Sequence, residues 1–126
     1  LGEITGLPVE RLEDCVAAAR LLLRHGAERV LVSLDRDGAF LLDREGLLLA
    51  RAPEVEVRSS VGAGDAMLAW FTAALLTGLP REEALRRAVA AGSAACLHYG
   101  THAPSREEAE ALLSRVGIDP AGKLPD

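Results

Sequence analysis

Ser59-Ser60-Val61-Gly62-Ala63-Gly64-Asp65, followed without a break by Ala66-Met67-Leu68-Ala69-Trp70-Phe71, is the stretch around which the rest of the chain can be read. The alternating Val55-Glu56-Val57 leads in as a strand, and the apolar run leads out as a helix. Gly62 and Gly64 let the backbone turn tightly and let an anion approach where a Cβ would otherwise stand. A helix beginning near Gly64 points free N–H groups and the positive end of its dipole at such an anion. Asp65 has two readings at this point. Its carboxylate caps the new helix, or it stands beside a bound phosphate and takes the proton from an attacking hydroxyl.

Composition narrows the class. The 126 residues suffice for one domain that buries roughly two-thirds of its unfolded surface. With 49% hydrophobic and 26% charged residues, the chain is globular rather than disordered. Its net charge of −5 and its scattered basic residues, with 3% aromatics, argue against nucleic acid or an anionic membrane as a partner. No apolar run approaches the ~20 residues of a membrane span, and no signal-peptide pattern is present. Cys15 and Cys96 lie in helical patterns without metal-ligand or CxxC spacing, so both read as small buried thiols in a cytoplasmic setting. His25, His98, His102 and Glu3 show no ligand spacing either. They read as surface or loop residues, and no metal-ligating residue is assigned.

Working outward from the glycine stretch, the upstream half begins with a helical turn at residues 1–5 closed by Gly6 and Pro8. Leu12, Val16, Ala19, Leu22 and Leu23 then mark an amphipathic helix over about 9–24, capped by Gly26. Arg29-Val30-Leu31-Val32-Ser33-Leu34 reads as a buried strand of a parallel α/β sheet. After a turn at Asp35-Arg36-Asp37-Gly38, the runs 39–42 and 47–50 form a β-hairpin across Asp43-Arg44-Glu45-Gly46. Downstream, 65–76 is apolar nearly throughout and is expected to be buried on most sides. Thr77-Gly78-Leu79-Pro80 separates it from a helix over 81 to about 97, with Glu82 and Glu83 in the first turn. That helix becomes rich in small residues at Ala90-Ala91-Gly92-Ser93-Ala94-Ala95, which suits close helix packing or a flat ligand. Residues 98–104 form a loop, Ser105 and Glu108 a capping box for a last helix to about 115, and 117–126 a loose tail.

This order of elements, together with Val61-Gly62-Ala63-Gly64-Asp65 and Ala84-Leu85-Arg86-Arg87-Ala88-Val89-Ala90-Ala91-Gly92-Ser93-Ala94, resembles the C-terminal half of the phosphofructokinase B (ribokinase-like) sugar kinases. The similarity is nearest to the 1-phosphofructokinase and tagatose-6-phosphate kinase branch. It implies an α/β chain, the C-terminal part of a ribokinase-like α/β/α sandwich, with residues 1–116 as the ATP-binding and catalytic part. By that resemblance Asp65 is the general base, and Gly62, Ala63 and Gly64 form the anion hole with the Asp65 amide. Ser33, Leu34, Asp35, Arg36, Asp37 and Gly38 would contact ATP phosphates and ribose. Gly92, Ser93 and Ala94 would wall the adenine, and Gly100 with Thr101 would complete the pocket. ATP and Mg2+ are the implied cofactors, and nucleotide and a sugar phosphate such as fructose 1-phosphate the implied ligands.

The chain also departs from that pattern. Asp35 stands where relatives carry glycine and adds negative charge near the phosphates. Trp70 stands where glycine or alanine is usual and requires a different packing of its helix. Ser59 replaces a more usual Asn or Asp. Leu1 opens the chain just after the point where relatives carry an Asn-x-x-Glu motif, so the sequence is expected to be a piece of a longer protein, lacking an N-terminal sugar-binding half. Little kinase activity is then expected of the chain alone, and homodimerisation through uncovered apolar surface is a further expectation. The alternative is a noncatalytic interaction module with weak or no nucleotide binding.

Overall fold

The computed structural model describes residues 9–34, 37–59, 61–97 and 104–119. The opening turn at 1–5, Glu3, Asp35, Arg36, Ser60, His98, Gly100, Thr101 and His102 lie outside them.

Short links between apolar runs decide the sheet. Strands β1 (Arg29–Ser33), β2 (Gly38–Asp43) and β3 (Gly46–Arg51) follow one another closely, and each pairs antiparallel with the next. The Asp43↔Gly46 pair closes the β2–β3 turn over two residues, a length that admits only an antiparallel neighbour, because a parallel one needs a crossover of a dozen residues or more. The parallel sheet expected from β1 is therefore corrected: every strand pairing among the described residues is antiparallel, and β1 lies at an edge of the order β1-β2-β3-β4. The fourth strand corrects a second expectation. β4 (Gly117–Asp119), placed in the tail by sequence, pairs with β3 through Ile118 and Ala50.

Side chains alternate across this sheet. Val30, Val32, Phe40, Leu42 and Leu47 face α1 (Val9–Arg24), where Cys15, Val16 and Ala19 cover them. Ala39, Leu41, Leu48 and Ala50 face α2 (Ala63–Leu76), α3 (Arg81–Ala95) and α4 (Arg106–Leu113). The result is the expected three layers, helix over sheet over helices. The punctuation was readable. Gly26 (φ 111) closes α1 with Gly26 N–H to Leu23 C=O and Ala27 N–H to Leu22 C=O, both at 3.1 Å. Gly78 (φ 86) ends α2 the same way, and Ser105 and Glu108 form the reciprocal capping box of α4.

Two further expectations change. Residues 55–57 form no strand; the Arg58 and Ser59 amides instead donate to the Cys96 carbonyl at 2.8 and 3.3 Å, at the end of α3. Helix α2 buries only Met67, Phe71 and Ala74, and its outer face leaves Leu68 59% and Leu76 84% exposed. Its apolar sequence exceeds what the neighbouring elements cover.

The hairpin is tied to the helical layer by Arg81, the first residue of α3. Its guanidinium spans both carboxylate oxygens of Asp43 (2.9 and 2.8 Å) and also donates to the Gly46 carbonyl at 2.7 Å, with both side chains close to buried. Arg81→Ala strands Asp43 without its counter-ion and is expected to cost about 3–5 kcal/mol in urea unfolding. Gly38→Ala places a Cβ 2.0 Å from the Ala50 carbonyl oxygen at a φ of 124, so a loss of about 2 kcal/mol or more is expected in the same measurement. Leu76→Glu, on the open face, is expected to shift stability by no more than about 0.5 kcal/mol.

Candidate functional site

Helix α2 starts in an unusual way. Its N-cap, Gly62, sits in the left-handed region (φ 86, ψ −6), and no side chain caps the helix. The Gly62 carbonyl accepts the first helical bond from Ala66 N–H at 3.0 Å, while Ser59 Oγ accepts from Val61 N–H at 3.2 Å, upstream of the helix. Among the described residues, no side-chain acceptor is given to the first-turn N–H groups of Ala63, Gly64 and Asp65, where Ser105 supplies one to α4. Of the two readings of Asp65, capping is not the one realised. Its side chain stands exposed in the first turn, beside the positive end of the α2 dipole.

Beside this helix start lies a cavity of about 170 Å³. Three of the segments that meet there carry expected site residues: Ser33 and Gly38 at the facing ends of β1 and β2, Ala63 at the start of α2, and Gly92 and Ser93 in α3. Gly92 makes the meeting possible. A Cβ at that position would lie 3.2 Å from Met67 Cε and 3.5 Å from the Ala63 carbonyl oxygen, so the glycine both admits α2 and keeps the cavity open. The small-residue stretch therefore serves close helix packing and the cavity wall at once.

Other expected site residues lie elsewhere. Leu34 is buried in the core on the α1 side, and its N–H donates to the Gly38 carbonyl at 2.8 Å. Ala94 is fully buried under the helical layer. Asp37 is exposed, and its carbonyl accepts from Ala52 N–H at 3.2 Å. Gly62, Gly64 and Asp65 flank Ala63 without lining the cavity. Gly38 has a structural reason of its own, since the β2–β3 contact leaves no room for a Cβ.

Sequence reasoning missed much of the wall. Ala52, Pro53, Glu54, Val55 and Val57 supply one side, and Met67, Val89 and Cys96 add to the rest. Cys96 is half-buried at this wall rather than buried in the core. The apolar alternation at Val55 and Val57 was visible, but it shapes a pocket wall instead of a strand. A second, wider groove of about 430 Å³ runs along Trp70, Ala73, Thr77 and Leu79. The half-buried indole borders this groove, which is how the helix accommodates a bulky residue there. Its arginines are engaged by carboxylates, Arg87 with Glu83 at 3.0 Å and Arg106 with Glu110 at 3.4 Å, and it holds none of the expected site residues.

Residues 1–109 match the pfkB family of carbohydrate kinases. The chain is 36% identical over 118 residues to a 1-phosphofructokinase of Bacillus subtilis, covering 94% of this chain and 38% of that protein. It is 44% identical over 88 residues to a D-tagatose-1-phosphate kinase of Bacillus licheniformis, covering 70% and 29%. Among solved structures, phosphofructokinase-2 from Escherichia coli in complex with potassium superposes with a TM-score of 0.78 at 33% identity, over 90% of this chain and 40% of that one. The chain thus spans no more than about two-fifths of the length of these relatives. On a family match that runs through the glycine stretch and into α4, the chain belongs to the pfkB family of carbohydrate kinases.

Proposed function

We propose that this chain is the ATP-binding, base-carrying lobe of a sugar-phosphate kinase that transfers a phosphoryl group to a ketose phosphate such as fructose 1-phosphate. The observation that carries this reading is the start of α2, where Gly62 in the left-handed region leaves the helix without a side-chain cap and Asp65 stands exposed in the first turn. An uncapped N-terminus is a ready anion site. The cavity beside it, about 170 Å³ and lined by Val55, Val57, Val89 and Gly92, is below the ~300–1,000 Å³ of a site for a whole drug-sized ligand. It would suit a flat ring, and the α2 amides would take the attached phosphates.

The residues present fit a nucleoside triphosphate. Ser33, Gly38, Gly92 and Ser93 would hold the base and sugar end, and the amides of Ala63, Gly64 and Asp65 the phosphoryl end. When bound, Mg-ATP supplies the transferred group, its metal neutralising phosphate charge. No cluster of His, Cys, Asp and Glu able to hold a metal occurs among the described residues. Asp65 accepts the proton of the acceptor hydroxyl as that oxygen attacks. The α2 amides, already oriented, stabilise the negative charge that develops on the phosphoryl oxygens. The cavity wall keeps the ring end out of water and so fixes the donor's orientation.

A second reading, a module that binds another polypeptide, has one observation in its favour: the outer face of α2 exposes Leu68 and Leu76. Calorimetric titration with Mg-ATP separates the two. Saturable binding, weakened tenfold or more by Gly62→Ala, is expected from the nucleotide lobe, because a Cβ in the left-handed region displaces the amides; absence of binding by the unaltered chain would overturn it. Asp65→Asn is expected to leave Mg-ATP affinity within about twofold and, in a chimera that joins this chain to the N-terminal half of a pfkB relative, to lower phosphoryl transfer to fructose 1-phosphate by about 10²–10⁴-fold, the usual contribution of a general base. Equal turnover by both forms would remove Asp65 from the chemistry.

A further inference from the structure

The wall formed by residues 52–59 lines the candidate nucleotide cavity, yet it belongs to no strand. Its backbone is held at its two ends. At one, Ala52 N–H donates to the Asp37 carbonyl at 3.2 Å; at the other, the amides of Arg58 and Ser59 donate to the Cys96 carbonyl. Between these ends a long side chain arrives from elsewhere: Arg115 Nη2 donates to the Glu54 carbonyl at 2.7 Å, across 61 positions of sequence. Arg115 is itself well founded. Its own N–H bonds the Leu112 carbonyl at 2.9 Å, and Leu112 and Val116 on either side are buried against α3.

We propose that Arg115 is a positioning residue of the nucleotide pocket, holding the middle of the 52–59 wall in place from the C-terminal end of α4. The role rests on the nucleotide reading above. Arg115 does not line the cavity, so it acts through the Glu54 carbonyl and the neighbouring Val55 and Val57, which do. A charged donor on a carbonyl is among the stronger single attachments a loop can have. A wall without sheet pairing depends on such attachments for its order. Pre-ordering it spares a ligand the entropy of ordering it on binding.

The test compares the unaltered chain with Arg115→Ala and Arg115→Lys, by hydrogen exchange and by calorimetric titration with Mg-ATP. Arg115→Ala is expected to speed exchange at the Ala52, Arg58 and Ser59 amides, the hydrogen-bonded amides of the wall, and to weaken Mg-ATP binding about five- to tenfold. The thermal midpoint should hardly move, since the side chain is exposed. Arg115→Lys, which still donates, is expected to recover most of the affinity. Binding by Arg115→Ala within twofold of the unaltered chain, or unchanged exchange across the wall, overturns the proposal. So does an affinity loss that tracks a fallen thermal midpoint, which marks a merely structural role. If the unaltered chain binds no Mg-ATP, the nucleotide reading itself fails and the positioning role falls with it, an outcome distinct from normal binding that ignores Arg115.

Discussion

Everything on the helical side of this protein depends on how closely other elements can approach α3. From Ala84 to Ala95 the helix buries Leu85 and Val89 as its only large apolar side chains, and otherwise presents alanines, Gly92 and Ser93. A helix so lightly furnished can carry the sheet face of Ala39, Leu41, Leu48 and Ala50 below it while α2 and α4 pack beside it. Each alanine contributes little burial by itself. The stability comes from the neighbours it admits, since interiors are close-packed and a larger side chain would push them apart. Gly92 is the limiting case, where the nearest atoms of Met67 and Ala63 leave a Cβ only tight room.

The same constraint makes the candidate site. Because α2 comes in close at Gly92, its first residue, Ala63, reaches a cavity also lined by the facing ends of β1 and β2 and the 52–57 segment. The sheet adds a second fixed point. Arg81 clamps the β2–β3 turn to the start of α3, so sheet and helix hold a constant spacing from the hairpin end. Removing water from that charge pair is costly, and the bidentate geometry with an added carbonyl bond offsets the cost. A rigid scaffold of this kind can position a site even though part of the cavity wall has no regular structure.

Local chemistry was legible in the sequence, and non-local chemistry was not. Gly26 and Gly78 announced helix ends because a left-handed residue there is a property of a few neighbouring residues, and Ser105 with Glu108 announced a helix start for the same reason. The glycine stretch was readable as a turn into a helix, and the structure settled that Asp65 does not cap it. Val55-Glu56-Val57 has strand alternation, but a strand exists only with a partner, and the amides that follow it bond the end of α3 instead. Gly117-Ile118-Asp119 has turn-like composition and becomes a strand because β3 offers it an edge. The outer face of α2 misled in a related way: Leu68 and Leu76 signal burial by residue type, while exposure is decided by what stands opposite.

That open face bears on how the first turn of α2 can work. Successive helical residues are about 100° apart, so positions 63 and 65 point to nearly opposite sides. Ala63, with Met67 one turn on, faces the cavity; Asp65, followed by Leu68, Ala69 and Thr72, faces outward. The turn thus presents two sides, one lining the cavity and one carrying the exposed Asp65 carboxylate. On the proposed reading of the site, such a two-sided turn lets donor and acceptor approach the same amides from different sides.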